Sequence, residues 1–266
     1  MASTESEPMS RGRLRAFVLC CAGAAVLMQV AYPLVRGDAQ RMLTILSVVA
    51  FCAFSTGHAF VLYGTRGPLA VLGGCAGVGL AVEAVGSRTG FPFGNYDYTA
   101  TLGWRVLGVP VVVALAWAMM GWPAFLAARR VFGGGWRVSA YGAAILTAWD
   151  LLLDPQMVDA GHWVWAPTPG PSLNEIPLVN SLGWFAVAFV MMKLLQGTFG
   201  SKPTTAAASW CWPVWAMLAW TWFSETLGHL VFFGLPWVGV IGGLVFGAVL
   251  LPWVRGVRAD MRGAGT

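Results

Sequence analysis

Long runs of apolar residues, separated by short segments that contain charges, glycine or proline, extend along most of the chain. Each run is close to the roughly 20 residues that a helix needs to cross the hydrocarbon core of a bilayer. Breaking segments such as Arg36–Asp38 and Arg66–Pro68 lie between the runs. The pattern predicts about eight membrane-spanning helices, at residues 14–35, 41–63, 67–86, 106–128, 138–154, 177–197, 207–230 and 236–254.

This pattern defines a transmembrane helical domain at residues 14–254, with tails at residues 1–13 and 255–266. The fifth span is the shortest, and we expect it to end at Asp154 because Pro155 follows. Glycines that repeat at every fourth position, as in Gly239, Gly243 and Gly247, are interpreted as places where helices pack closely.

Composition supports an all-α membrane protein, since 58% of the residues are hydrophobic and only 10% are charged. A soluble domain carries about 25% charged residues. The net charge of +5 comes from scattered basic residues, which argues against nucleic acid as a partner. The five cysteines lie inside apolar runs without metal-ligand spacing, and three histidines are too few for a histidine-rich di-iron membrane oxygenase. We therefore predict no metal and no cofactor.

The distribution of basic residues predicts the orientation of the bundle. With eight spans and a cytoplasmic N-terminus, only Arg36, Arg41, Arg88 and Arg105 of the 16 lysines and arginines fall outside, whereas Lys202 and the rest fall inside. Positive charge is enriched in cytoplasmic segments. Both termini are therefore expected in the cytoplasm, in a bacterial or archaeal plasma membrane.

Nearly all acidic residues outside the tails then lie near the outer face. Glu83 lies near the outer end of the third span, Asp150 and Asp154 end the fifth, and Glu225 and His229 end the seventh. A spacing of four residues puts each of these pairs on one helical face. Because a charge inside the bilayer costs about 2.5–3.5 kcal/mol on insertion scales, such residues usually have a function. These five are the candidate catalytic residues.

Two long polar segments, residues 87–105 and 155–177, are expected as loops on the same face. Together with aromatic residues near the acids, they suggest a binding site for an apolar ligand. The candidate binding residues are Tyr96, Asp97, Tyr98, Trp149, His162, Trp163, Asn180, Trp184 and Trp222.

Structural explanations stay open for several of these residues. Asp154 could simply end its helix before a proline, and Asp97 could be a turn residue. Glu225 and His229 could form a hydrogen-bonded pair that joins two helices. The tryptophans could belong to the aromatic belts that form at membrane interfaces.

Several segments resemble, in the same order, those of the membrane carotenoid hydratases, which hydrate the ψ-ends of γ-carotene or of bacterioruberin precursors. The resemblance covers roughly residues 70–235, and the matching segments are residues 83–99, 147–158, 161–165, 176–180 and 183–185. It implies that the protein is a cofactor-independent carotenoid 1,2-hydratase, with a long carotenoid substrate, membrane lipid around it and other carotenoid-pathway enzymes as candidate partners.

Water addition to the terminal double bond of an acyclic carotenoid gives a tertiary alcohol. It requires a protonated acid, aromatic faces that stabilise a cation, and a positioned water molecule. We assign proton donation first to Asp150 and second to Glu83, and water activation to Asp154, Glu225 or His229. Two alternatives stay open: a carotenoid end-group cyclase or isomerase, which would lose a proton instead of capturing water, and a non-catalytic carotenoid- or lipid-binding membrane protein.

Overall fold

Eight helices of at least 20 residues make up most of the described part of this computed structural model, which comprises residues 11–167, 170–200 and 210–263. Each coincides with one predicted span to within several residues. In chain order they are α1 (Arg11–Ala31), α2 (Asp38–Tyr63), α3 (Arg66–Thr89), α4 (Val111–Phe132), α5 (Trp136–Asp159), α6 (Leu178–Phe199), α7 (Trp212–Val231) and α8 (Pro236–Gly263).

Six of these helices are long and apolar enough to cross a membrane: α1, α2, α3, α4, α6 and α8. The other two, α5 and α7, carry the polar residues Asp150, Asp154 and Glu225 within otherwise apolar sequence. The chain is therefore an all-α integral membrane protein. A count of eight spans and a cytoplasmic location of both termini stay predictions.

Helix α4 forms the centre of the bundle. Every residue from Trp117 to Arg129 is buried, and α4 contacts each long helix except α1 closely. Helix α1 lies at the periphery against α2 and α7, with only Val18 and Ala25 buried. Large apolar side chains on the outer surface, such as Leu27 and Leu244, are exposed, as lipid contact requires.

The predicted end of the fifth span at Asp154 is wrong. Helix α5 continues through Pro155 to Asp159. A proline removes one intrahelical hydrogen bond, but packed neighbouring helices make this tolerable in a membrane bundle. The continuation places Gln156 and Met157 on the same helix as the aspartates, and both reach the functional site. Helix α8 likewise extends beyond the predicted residue 254, and Lys202 lies outside the described residues.

The glycine repeat in α8 packs against α7. A Cβ atom on Gly243 would lie 2.6 Å from Thr226, and one on Gly239 would lie 2.9 Å from Leu230. Glycine thus lets the two backbones approach closely, as the spacing predicts.

Three short antiparallel pairs occur in the loops of the described residues: β1 (Tyr96–Tyr98) with β4 (Trp163–Trp165), β2 (Arg105–Val106) with β3 (Val109–Pro110), and β5 (Ser172–Leu173) with β6 (Ile176–Pro177). The β1–β4 pair connects the two long polar loops. We call it the cap sheet, because it covers one end of the bundle.

Candidate active site

A cavity lies beneath the cap sheet and encloses about 1110 Å³ of empty space, a figure that includes the part open to solvent. Its walls come from the C-terminal halves of α1, α3, α5 and α7 and the N-terminal halves of α2, α4 and α6, which meet at one end of the bundle. The candidate residues that line it are Glu83, Asp154, Glu225, Tyr96, Tyr98, Trp149, Trp163, Asn180 and Trp184.

Glu83 ties three elements together. Its carboxyl group is buried in α3 and accepts hydrogen bonds from the hydroxyls of Tyr96 and Tyr98, the second at 2.7 Å. The indole of Trp117 in α4 donates to the other oxygen at 3.0 Å. A buried acceptor without partners costs about 1–3 kcal/mol, so these three donors make the position of Glu83 tolerable. They also fix the cap sheet to the helices.

The two tyrosines are donors over the whole physiological pH range. Burial, together with the neighbouring Glu83 carboxyl group, raises the pKa of Tyr96 and of Tyr98 above the ordinary value of a phenol. Both hydroxyls therefore keep their protons and hold the carboxyl group of Glu83 in place.

Asp150 and Asp154 share one amide. The Asn180 side chain of α6 donates to Oδ2 of Asp150 at 2.9 Å and to Oδ2 of Asp154 at 2.6 Å. Trp163 of the cap sheet lies near Asp154, and both line the cavity. Asp154 lines the cavity, whereas Asp150 lies behind it, and one oxygen of Asp150 is buried without a hydrogen-bond partner among the described residues. The spacing of four residues thus brings both carboxyl groups to α6.

The alternation of the cap sheet explains why Asp97 does not join the site. Successive residues of a strand point to opposite faces. The register pairs Tyr96 with Trp165 and Tyr98 with Trp163, and these four side chains line the cavity. Asp97 is exposed on the other face.

His162 supports the cap sheet without lining the cavity. Its Nδ1 lies 2.8 Å from the hydroxyl of Thr101, and the Thr99 hydroxyl donates to the carbonyls of Gly161 and His162. Burial lowers the pKa of His162 to about 4, and the positive charge of Arg41 contributes to the same shift. The imidazole is therefore neutral at physiological pH, and its contacts are structural.

Aromatic rings form the wall beside the acids. Trp117 and Trp184 stack with ring centroids 3.8 Å apart, and Trp149 meets Trp184 edge to face at 6.0 Å. These rings come from α4, α6 and α5. All three line the same cavity that Asp154 and Glu83 line.

Glu225 lines the cavity from α7, and its Oε2 is buried without a hydrogen-bond partner in the part of the chain that the structure describes. The hydrogen bond of His229 does not involve this carboxyl group. Its Nδ1 donates instead to the backbone carbonyl of Glu225 at 2.8 Å. Trp222 donates to the carbonyl of Gly243 and packs α7 against α8. Neither His229 nor Trp222 lines the cavity. The bond of His229 to Glu225 lies within α7 and does not join two helices, and Trp222 connects α7 to α8.

Several lining residues were not among the candidates: Tyr32, Phe93, Trp117, Gln156 and Trp165. Phe93, Gln156 and Trp165 lie within segments that carry the family resemblance, so the sequence did hold a signal for them. Trp117 lies in a predicted span, where an aromatic side chain is lipid-facing by default, and Phe93 lies in the predicted loop of residues 87–105. Gln156 was assigned to a loop since it follows Pro155. Its polarity within what is in fact a helix could have singled it out.

Comparison with known proteins gives two matches. The family model described as "Carotenoid biosynthesis protein" matches residues 39–251. A bisanhydrobacterioruberin hydratase from Haloarcula japonica is 29% identical over 125 residues, which is 44% of this chain and 41% of that protein. The chain thus covers less than half the length of this relative. No solved structure matches.

Proposed function

The chain belongs to the carotenoid biosynthesis protein family, and on that premise we propose that it adds water to the terminal 1,2 double bond of an acyclic ψ-end carotenoid. The product is a tertiary alcohol. The observation that carries the proposal is a cavity in which carboxyl groups from α3, α5 and α7 face tryptophan and tyrosine rings. The name of the Haloarcula relative, a hydratase, supports the same reaction.

The proposed chemistry needs no redox step. A carboxylic acid donates its proton to C2 of the end group, so that the π electrons form the new C–H bond and leave a tertiary cation at C1. The oxygen of a water molecule then bonds to C1 and loses a proton to a base. A general acid or base in such a reaction contributes typically 10²–10⁴-fold. A cation near a tryptophan or tyrosine face is stabilised by about 0.5–2 kcal/mol.

We assign proton donation to Asp154. The sequence favoured Asp150 as donor, but Asp154 is the aspartate that lines the cavity. Asp150 accepts from the same Asn180 amide and acts through it as a positioning residue. Glu83 accepts three hydrogen bonds and anchors the cap sheet, a role that leaves it less suited to give up a proton to substrate.

The position of the cavity suits a carotenoid held in a bilayer. Because the cavity lies at one end of the bundle, the end group can enter it while the polyene stays in the hydrocarbon. We place this end at the outer face of a bacterial or archaeal plasma membrane, where other carotenoid-pathway enzymes would supply the acyclic substrate and take up the alcohol.

Expression in a host that accumulates an acyclic carotenoid, with membranes incubated in H₂¹⁸O, tests the proposal. A hydratase gives a product heavier by one water molecule per reacted end, with the heavy oxygen in that molecule. A cyclase or isomerase gives a product of unchanged mass without heavy oxygen, and a carrier leaves the pigment unaltered. Either of these two results contradicts the hydration proposal.

A further inference from the structure

The polar groups of the cavity form two separate clusters. The first contains Glu83, Asp154 and Asn180, and electrostatic interaction connects Glu83 with both aspartates. The second contains Tyr32, Gln156 and Glu225, which line the cavity together, with the hydroxyl of Tyr32 near both of the other side chains. Oε1 of Gln156 and Oε2 of Glu225 are buried without a hydrogen-bond partner among the described residues. The first cluster lies on α3, α5 and α6, whereas the second joins the end of α1 to α5 and α7.

The wall around the second cluster is rich in small polar groups. Thr44 and Ser47 of α2 and Ser224 of α7 line the cavity there, and Thr44 lies near Tyr32. Gln29 lines the same wall, where its side-chain oxygen accepts from the Trp220 indole at 2.7 Å. A water molecule inside a protein needs two to four polar partners and enough space, and this wall offers both. The aromatic wall offers mainly π faces.

From this division we infer that Glu225, with Tyr32 and Gln156, binds the reacting water and removes its proton. The inference rests on the proposed hydration. Oε2 of Glu225 has no hydrogen-bond partner among the described residues, so an acceptor site is free for a water O–H. The Tyr32 hydroxyl and the Gln156 amide position that water. As C–O bond formation to C1 proceeds, the proton of the water passes to the carboxylate of Glu225.

In this proposal the second cluster determines whether the cation is hydrated or loses a proton to form an alkene. If the second cluster is impaired, Asp154 still protonates C2. The cation then loses a proton from a methyl group on C1 to the Asp154 carboxylate, and the C–H electrons form a new double bond. In D₂O the resulting alkene keeps the deuterium that was added at C2. A variant that cannot activate water is therefore expected to lose hydration but to keep incorporating deuterium.

The test compares Glu225→Gln and Tyr32→Phe with the unmodified protein in membranes that contain an acyclic carotenoid. Parallel incubations in H₂¹⁸O and D₂O are followed by mass spectrometry of the pigments. For Glu225→Gln we expect hydration to fall about 10²–10⁴-fold, with deuterium still entering unhydrated carotenoid. For Tyr32→Phe, the loss of one hydrogen bond to the water predicts a smaller fall in hydration, about 2- to 10-fold, with the same retention of deuterium exchange.

Matched controls are Glu175→Gln, an exposed loop acid, and Tyr141→Phe, which loses a hydrogen bond to the Val249 carbonyl away from the cavity. Both should hydrate at the unmodified rate. An equal fall of hydration and deuterium incorporation in Glu225→Gln overturns the inference while the hydratase proposal stands. If Glu225→Gln does not accumulate in membranes, an equal fall in Tyr32→Phe overturns it in the same way. Absence of ¹⁸O from the product of the unmodified protein instead overturns the proposed function, and the inference with it.

Discussion

Asn180 donates a hydrogen bond of 2.6 Å to Oδ2 of Asp154, from one helix to the next across the base of the cavity. The same amide donates to Asp150 at 2.9 Å. A side chain with a single amide group therefore determines where two buried carboxyl groups lie. Asp154 lines the cavity and Asp150 does not. The two acids therefore share one amide but differ in whether a bound ligand can reach them.

Asp154→Asn tests which acid donates the proton. An amide has the same shape but no acidic proton, so we expect hydration to fall about 10²–10⁴-fold. Asp159→Asn, at the exposed end of the same helix, is the matched control and should keep its activity. The measurement is the rate of ¹⁸O-labelled product formation in membranes. Full activity of Asp154→Asn would remove the proton-donor role from this residue.

Gly79→Ala tests the support of Glu83. A Cβ atom at position 79 would lie 2.5 Å from the ring of Trp117, whose indole donates to Glu83. We expect a loss of about 1–3 kcal/mol in the free energy of unfolding, as for other overpacked sites, and reduced activity because the ring must move. A Cβ atom at position 73 in the same helix would meet no atom within 4 Å. Gly73→Ala should therefore leave activity unchanged and leave stability unchanged or slightly raised. Thermal unfolding in lipid nanodiscs measures the difference, and equal melting temperatures for the two variants would contradict it.

The sequence was sufficient for most of the fold, because apolar runs of about 20 residues have few alternatives to a membrane helix. It failed at Pro155, where a local rule for helix ends gave way to packing inside the bundle. It also could not show that Tyr96–Tyr98 and Trp163–Trp165 pair, since strand pairing between distant loops leaves little trace in three residues.

The candidate site was predictable to the extent that rare polar residues in apolar surroundings indicate a function. Glu83, Asp154 and Glu225 were found in this way. The spacing of four residues correctly put Asp150 and Asp154 on one face, but it could not tell which carboxyl group enters the cavity. Trp117 and Tyr32 were missed because an aromatic residue in a span looks the same whether it faces lipid or a cavity.

His162 predicts a pH dependence of the cap sheet. In the folded protein burial lowers its pKa to about 4, whereas the ordinary value is 6.5. Between these values the unfolded state binds more protons, so the contribution of His162 to stability is complete above about pH 6.5 and decreases as the pH falls toward 4. Comparing the melting temperature at pH 7.5 and pH 5 should show a smaller pH effect in His162→Gln. Thr101→Val is the control, because it removes the hydrogen bond at Nδ1 but keeps the titrating ring. An unchanged pH effect in His162→Gln would contradict the prediction.

Trp184 tests the role of the aromatic wall, since it stacks on Trp117 and meets Trp149 edge to face within the cavity. If its π face stabilises the cation at C1, Trp184→Leu loses about 0.5–2 kcal/mol in the transition state, which corresponds to roughly 2- to 30-fold in rate. Trp184→Phe retains a π face of smaller size and should lose less. Trp237→Leu replaces an exposed tryptophan away from the cavity and should hydrate normally. Rates at saturating carotenoid separate the three variants. Equal losses in the leucine and phenylalanine variants would mean that Trp184 acts by filling space, because only the phenylalanine variant keeps a face that a cation can approach.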